Sequence, residues 1–217
     1  MKRWLGVVAL LILTGGVLWS QAGTDRRSVP HDLRGVMTNR PVKLAPLQLT
    51  DQHGLSVTES WFNGQWTLVA FGFTHCPDVC LATLAQFGVI KQALTQGYPA
   101  IAQPRYVFVS VDPERDTPQQ LAAFLSSFDQ SFIGLTGATA QIEALEQSTA
   151  TFHRKQTASA SGDYQVSHSG EIFLIDPAGQ VVARFVPPLE PAVVASQLSS
   201  IMTFYARNSV QVPAAST

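Results

Sequence analysis

The chain has 217 residues, of which 46% are hydrophobic and 13% are charged, a composition typical of a globular protein and not of a disordered one. This length suffices for one domain with an appendage. The net charge of -1 and the lack of a lysine and arginine stripe argue against binding to nucleic acid, so no nucleic-acid partner is expected.

The first feature along the chain is an apolar run at residues 4–19, preceded by Lys2 and Arg3. Such a run is typical of a membrane anchor or a signal peptide, and the basic pair predicts that the rest of the chain is exported. We expect residues 1–22 to form an anchor, in preference to a cleaved signal, and residues 23–40 to form a linker. Because no long Arg/Ser-rich leader precedes the run, the expected location is a bacterial inner membrane with the domain facing the periplasm, or the soluble periplasm after cleavage.

Apolar periodicity then predicts a single α/β domain over residues 41–207, followed by a loose tail at 208–217. In chain order, the domain begins with a hairpin turning at residues 51–54, a buried strand at 66–73, a helix from the cysteines to about residue 96, and a second buried strand at 106–112. Next come a helix beginning at Thr117-Pro118, a helix capped by Thr139, a hairpin turning at 177–179, and a helix from Glu190-Pro191 to about residue 205.

Both cysteines lie in the segment FGFTHCPDVC, between the first buried strand and the following helix. The spacing of Cys76 and Cys80 places them one helical turn apart on one face, with Cα atoms roughly 6 Å apart, within the range of a disulfide. The N-terminal end of the helix is expected to stabilise a thiolate and to lower its pKa. Two thiolates repel each other, and either a reversible disulfide or a bound cation would relieve that repulsion.

Packed inert thiols and a peroxidatic cysteine are alternatives to a metal site, but neither accounts well for two thiols in a strand-to-helix loop. A structural zinc site requires four ligands, whereas copper(I) is soft and accepts two thiolates with a third ligand. The candidates for a third ligand are the five histidines, His31, His53, His75, His153 and His168. By position alone, His31, His53 and His153 are expected to be exposed to solvent, and the side chain of His75 to point away from the neighbouring Cys76. His168 is expected to be an ordinary loop histidine.

Four segments occur in a consistent order, FGFTHCPDVC, VFVSVDPERDTP, FIGLTG and VSHSGEIFLIDPAG. Together they resemble the Sco/SenC family of membrane-anchored copper proteins over about residues 34–185. The resemblance implies a thioredoxin-like fold and delivery of copper to the copper-A centre of cytochrome c oxidase during its assembly. It also implies that Cys76, Cys80 and His168 bind the copper, as copper(I) and also as copper(II).

Two positions depart from the family pattern, because Leu81 stands where proline is usual and Ser167 where aspartate is usual. An acidic neighbour can orient a ligand imidazole, so Ser167 is expected to affect copper affinity, that for copper(II) most of all. Asp78 is interpreted as complementing the helix dipole. Arg115 and Asp116, although part of the resemblance, are interpreted as shaping a turn and are assigned no chemistry.

The partners that the resemblance implies are the copper-A-bearing subunit of cytochrome c oxidase, other periplasmic copper carriers, and the membrane through the N-terminal segment. The first alternative is a thiol–disulfide oxidoreductase with Cys76 and Cys80 as its redox-active pair. The second is a redox- or copper-sensing module. A metallochaperone needs no catalytic residues, so an enzyme is not the favoured interpretation.

Overall fold

In the computed structural model, the described residues are 29–76, 78–156, 166–167 and 170–209. The chain divides into two compact units, Met1–His31 and Asp32–Thr217, and the elements described here belong to the second. The predicted anchor at residues 1–22, the first part of the predicted linker at residues 23–28 and the tail beyond residue 209 lie outside the described residues. Among the described helices, none combines the length and apolar character needed to cross a membrane.

Eight of the described strands form one mixed sheet in the order β1-β10-β9-β4-β5-β6-β2-β3, and β7 and β8 form a separate two-stranded ribbon. The strands are β1 (Met37–Lys43), β2 (Gln48–Asp51), β3 (Ser56–Thr58), β4 (Thr67–Gly72), β5 (Arg105–Ser110), β6 (Ile133–Thr136), β7 (Arg154–Lys155), β8 (Val166–Ser167), β9 (Ile172–Ile175) and β10 (Gln180–Phe185). Both predicted hairpins are confirmed, as β2–β3 and β9–β10, each antiparallel.

The centre of the sheet is β4, in which all six residues are buried. It runs parallel to β5 on one side and antiparallel to β9 on the other. An apolar run without alternation is what a strand covered on both faces requires, so the prediction of two central buried strands is confirmed.

The four described α-helices are α1 (Val79–Gly97), α2 (Pro118–Ser126), α3 (Thr139–Thr149) and α4 (Pro191–Ser209). The start of α2 is confirmed in detail, because the Thr117 hydroxyl accepts from the Gln120 N–H while the Gln120 side chain accepts from the Thr117 N–H. The prediction for α3 is wrong by one residue, because Ala138 occupies the capping position and Thr139 is the first helical residue. Helix α4 continues four residues beyond its predicted end near Tyr205.

Three further elements were not predicted: β1, β6 and the β7–β8 ribbon. Strand β1 pairs with β10 although it shows no hydrophobic alternation, and it overlaps the predicted linker from Met37 onward. Strand β6 contains Gly134, whose missing side chain makes room for Leu125 and Leu121 of α2. These elements depend on partners distant in the chain, which local periodicity does not report.

Candidate functional site

The two cysteines lie where β4 gives way to α1, with Cys76 ahead of the helix and Cys80 as its second residue. The structure has both as thiols, and they are buried, with exposed fractions of 8% and 0%. The backbone N–H of Cys80 donates to Sγ of Cys76 over 3.4 Å. The spacing therefore brings the two residues together as expected, at the first turn of a helix.

The pKa of Cys80 does not behave as the helix position alone suggests. Burial, followed by the hydrogen bond with Cys76, raises the pKa of the Cys80 thiol well above its ordinary value, against a smaller lowering contribution from the backbone at Phe73. The expectation of a lowered pKa is thus wrong for Cys80, because removing the thiolate from water outweighs the favourable field of the helix end.

Gly72, the last residue of β4, has no side chain and so leaves room for the sulfur of Cys80. A Cβ atom built on Gly72 would lie 2.8 Å from Cys80 Sγ and 2.6 Å from Cε2 of Phe108. Sulfur and phenyl ring therefore pack directly on the strand backbone, which only glycine permits. Sequence reasoning missed this residue, although a glycine inside an apolar strand is a recognised sign of close approach.

Asp116 connects the loop after β5 to the cysteine segment. Its carboxylate is fully buried and accepts hydrogen bonds from Thr74 N–H at 2.9 Å, Thr74 Oγ1 at 2.6 Å and Ser110 Oγ at 2.6 Å. Three donors offset the cost of burying the carboxylate and fix the chain two residues before Cys76. Asp116 therefore does more than shape its own turn. In the sequence, only the short polar loop DPERDTP could have indicated this role.

Arg115 lies beside the same segment. It forms an ion pair with Asp112, and its guanidinium carbon lies 5.7 Å from the centre of the Phe73 ring. The Arg115 side chain thus covers the ring at the end of β4, three residues before Cys76.

Four of the five histidines belong to the described residues. His31 and His53 are exposed, as expected. His75 is also exposed, and its Nδ1 lies 3.0 Å from Thr74 Oγ1 and 3.8 Å from Asp116 Oδ1. The expectation that His153 lies at the surface is wrong, because its side chain is only 12% exposed and pairs with a buried glutamate, Glu146.

His168, the candidate third ligand, lies outside the described residues, and within them no group of three or more His, Cys, Asp or Glu could hold a metal ion. Gly170 does lie close to the cysteine helix, because a Cβ atom on it would be 3.2 Å from Cγ1 of Val79, the residue before Cys80.

A family model described as SCO1/SenC matches residues 36–203. The chain belongs to the SCO1/SenC family. A "Putative copper-binding protein" of Stutzerimonas stutzeri is 32% identical to it over 186 residues, which are 84% of this chain and 88% of the relative. "Protein SCO2, mitochondrial" of Saccharomyces cerevisiae is 33% identical over 185 residues, 83% of this chain but only 60% of the relative.

Among solved structures, Bradyrhizobium japonicum ScoI with copper bound is similar to this SCO1/SenC protein with a TM-score of 0.63 and 37% sequence identity. The similarity covers 72% of this chain and 97% of the other. The expected thioredoxin-like α/β fold of the Sco type is thereby confirmed.

Proposed function

We propose that this SCO1/SenC protein binds copper(I) as cargo through Cys76, Cys80 and His168. We propose further that it delivers this copper to the copper-A-bearing subunit of cytochrome c oxidase during assembly. The observation that carries the proposal is the pair of buried cysteines at the start of α1, where the Cys80 backbone N–H donates to Cys76 Sγ over 3.4 Å. Soft sulfur donors in a site closed to water suit copper(I), and copper is present in the related ScoI structure.

The environment of the two sulfurs supports a role in transferring the metal. Copper must displace the proton of Cys80, because only the thiolate is a ligand. Cys76 is the more exposed of the two cysteines, so an incoming ligand of the acceptor would approach the metal from the Cys76 side. Transfer is then an exchange of ligands around copper(I), with no change in its oxidation state.

The location proposed for this protein is the periplasmic side of a bacterial inner membrane, held there by residues 1–22. The basic pair and the apolar run at residues 4–19 support this proposal. Other periplasmic copper carriers are proposed as sources of the metal.

A thiol–disulfide oxidoreductase is the second candidate, favoured by the adjacency of two reduced thiols. In that reaction Cys76 and Cys80 form a disulfide while two electrons and two protons pass to the disulfide of a substrate protein. The raised pKa of Cys80 leaves it a weak attacking group, so Cys76 would make the first attack.

Replacement of His168 separates the two candidates. His168→Ala should weaken copper(I) binding by about 10-fold or more, given that even outer-shell changes cost about 10–100-fold, while the Cys76–Cys80 disulfide still forms and is still reduced. His53→Ala, which removes an exposed histidine in the β2–β3 turn, is the matched control. Affinity is measured by competition with a coloured copper(I) chelator, and function by oxidase assembly in the parent organism. Normal copper binding and normal oxidase assembly by His168→Ala would overturn the ligand assignment in favour of the oxidoreductase.

The same titration on the oxidised protein tests the role of the sulfurs. Once the thiols form a disulfide, copper(I) uptake should be lost, because metal ligation requires thiolates. Equal uptake by the reduced and oxidised forms would show that the sulfurs are not ligands.

A further inference from the structure

A tight turn joins the end of β4 to the cysteine segment. The Cys76 N–H donates to the Phe73 carbonyl oxygen over 3.2 Å, which closes a four-residue turn with Thr74 and His75 at its centre. The expectation that the His75 side chain points away from Cys76 holds for an extended segment, and the structure has a turn instead. The turn fixes the exposed imidazole of His75 directly before the buried Cys76.

The hydrogen bonds around Asp116 determine which nitrogen of the neutral His75 ring carries the proton. The Thr74 hydroxyl donates its one hydrogen to Oδ1 of Asp116 over 2.6 Å, because an ionised carboxylate can only accept. The same hydroxyl lies 3.0 Å from Nδ1 of His75, so it accepts a hydrogen bond from Nδ1–H. Oδ1 of Asp116, 3.8 Å from Nδ1, favours the same tautomer. Nε2 of His75 is therefore left with an unshared electron pair.

The edge of the His75 ring that carries Nε2 faces solvent. The side chain is 53% exposed, and its contacts with the described residues are made through Nδ1. Metal-binding histidines typically have this arrangement, in which one ring nitrogen donates to a supporting polar group and the other is free to bind. Imidazole nitrogen is also a ligand that copper accepts. The turn therefore presents a nitrogen donor for copper at the surface.

The two cysteines are less accessible than this imidazole. Their exposed fractions are 8% for Cys76 and 0% for Cys80. A donor that carries copper(I) among its own ligands therefore has limited access to either sulfur, whereas the His75 ring is open to it.

We propose that His75 is a transfer ligand, which binds copper(I) at the surface through Nε2 and passes it to Cys76. This inference rests on the proposed function, in that copper(I) is the cargo of the cysteine pair. Nε2 first replaces one ligand of the copper donor. The Cu–N bond then breaks as copper binds Sγ of Cys76, and the thiol proton passes to water. Copper(I) keeps its oxidation state, and His75 is neutral and protonated at Nδ1 before and after the exchange.

The test measures how fast the reduced full-length protein, in detergent, takes copper(I) from its complex with bicinchoninate, by stopped-flow absorbance. The second-order rate constant comes from the dependence on protein concentration. His75→Ala and His75→Gln should lower it on the order of 10-fold, the smaller of the effects that groups around a metal site have. His75→Met should restore most of the rate, because a thioether binds copper(I) although it cannot donate to Thr74. His53→Ala, which removes an exposed histidine from the β2–β3 turn, should load at the original rate.

The equilibrium affinity distinguishes a ligand used in transfer from one that holds the metal. A transfer ligand speeds loading and release by the same factor, so it leaves the equilibrium unchanged. Chelator competition at equilibrium should therefore give His75→Ala the same copper(I) affinity as the original protein. If the affinity falls by as large a factor as the loading rate, His75 holds the bound metal and the transfer role is overturned.

Two kinetic results would also overturn the transfer role. Unchanged loading by His75→Ala and His75→Gln would mean that copper(I) reaches the sulfurs without the imidazole. Loading by His75→Met as slow as that by His75→Ala would mean that the imidazole supports the turn and does not carry metal.

The proposed function is tested separately by the double variant Cys76→Ser with Cys80→Ser. It should lose tight copper(I) binding, because thiolates are the ligands that copper(I) prefers. If the double variant binds copper(I) as tightly as the original protein, the proposed function fails, and the transfer role of His75 fails with it.

Discussion

Gly72 and the sulfur of Cys80 occupy neighbouring space so closely that no side chain fits between them. Gly72→Ala would place a methyl group 2.8 Å from that sulfur and 2.6 Å from the Phe108 ring, both of which are buried. Overpacking of this kind costs about 1–3 kcal/mol. We expect Gly72→Ala to lower the free energy of unfolding by that amount and to weaken copper(I) binding, as measured by urea denaturation and chelator competition.

Gly88 provides the control for this substitution. It lies within α1, and a Cβ atom there meets nothing within 4 Å. Gly88→Ala should stabilise the protein by about 0.5–1 kcal/mol, because alanine is the better helix former. If Gly72→Ala had the same free energy of unfolding and the same copper(I) affinity as the original protein, the packing argument would be contradicted.

The Glu146–His153 pair predicts a pH dependence of stability. The hydrogen bond with Glu146 raises the pKa of His153 above its ordinary value, with burial acting in the opposite direction. A raised pKa means that the stabilising contribution is fully present below the unfolded value, about 6.5, and is lost as the pH rises through the folded value. The stability difference between the original protein and His153→Gln should therefore be larger at about pH 6 than at about pH 9, by urea denaturation at each pH. A difference that stayed constant or grew with pH would contradict the ion pair.

At the scale of elements, Asp116 joins the loop between β5 and α2 to the loop between β4 and α1. Asp116→Ala would leave three donors without their acceptor, each costing about 1–3 kcal/mol when buried. We expect a loss of at least about 2 kcal/mol in the free energy of unfolding. We also expect faster alkylation of Cys76 and Cys80 in the native protein, because the segment before them is released.

Asp116→Asn is the graded control, because it keeps one carbonyl oxygen in place and should recover part of both effects. Alkylation is followed by mass spectrometry of the intact chain and of its peptides. Unchanged stability and unchanged thiol reactivity in Asp116→Ala would show that the two loops hold their arrangement without this carboxylate.

At the scale of the whole molecule, the N-terminal segment predicts how the chain is held at the membrane. The apolar run at residues 4–19 predicts that the full-length chain stays in the membrane fraction after washing with high salt. A chain that starts at residue 23 and is exported by an unrelated signal should be found in the soluble periplasm. Recovery of a mature chain beginning at Gly23 from cells expressing the full sequence would show instead that the segment is a cleaved signal.

The sequence by itself determined the elements whose causes are local. The uninterrupted apolar run at residues 66–73 is typical of a strand covered on both faces, which the structure confirms. Thr117, Pro118 and Gln120 supply the start of α2 within four consecutive positions. The four-residue spacing of Cys76 and Cys80 likewise determined that the sulfurs meet at a helix start. The role of His168 came from the resemblance to the family, since spacing alone does not distinguish it from the other histidines.

Only the tertiary structure decided the features that join distant parts of the chain. Strand β1 pairs with β10 across the sequence, and Asp116 receives hydrogen bonds from Thr74, 42 positions away. The raised pKa of Cys80 depends on how completely the fold removes its sulfur from water, which helix position cannot report. Close approach and burial are properties of packed surfaces brought together from separate elements, so they exist only once the sheet and its helices have assembled.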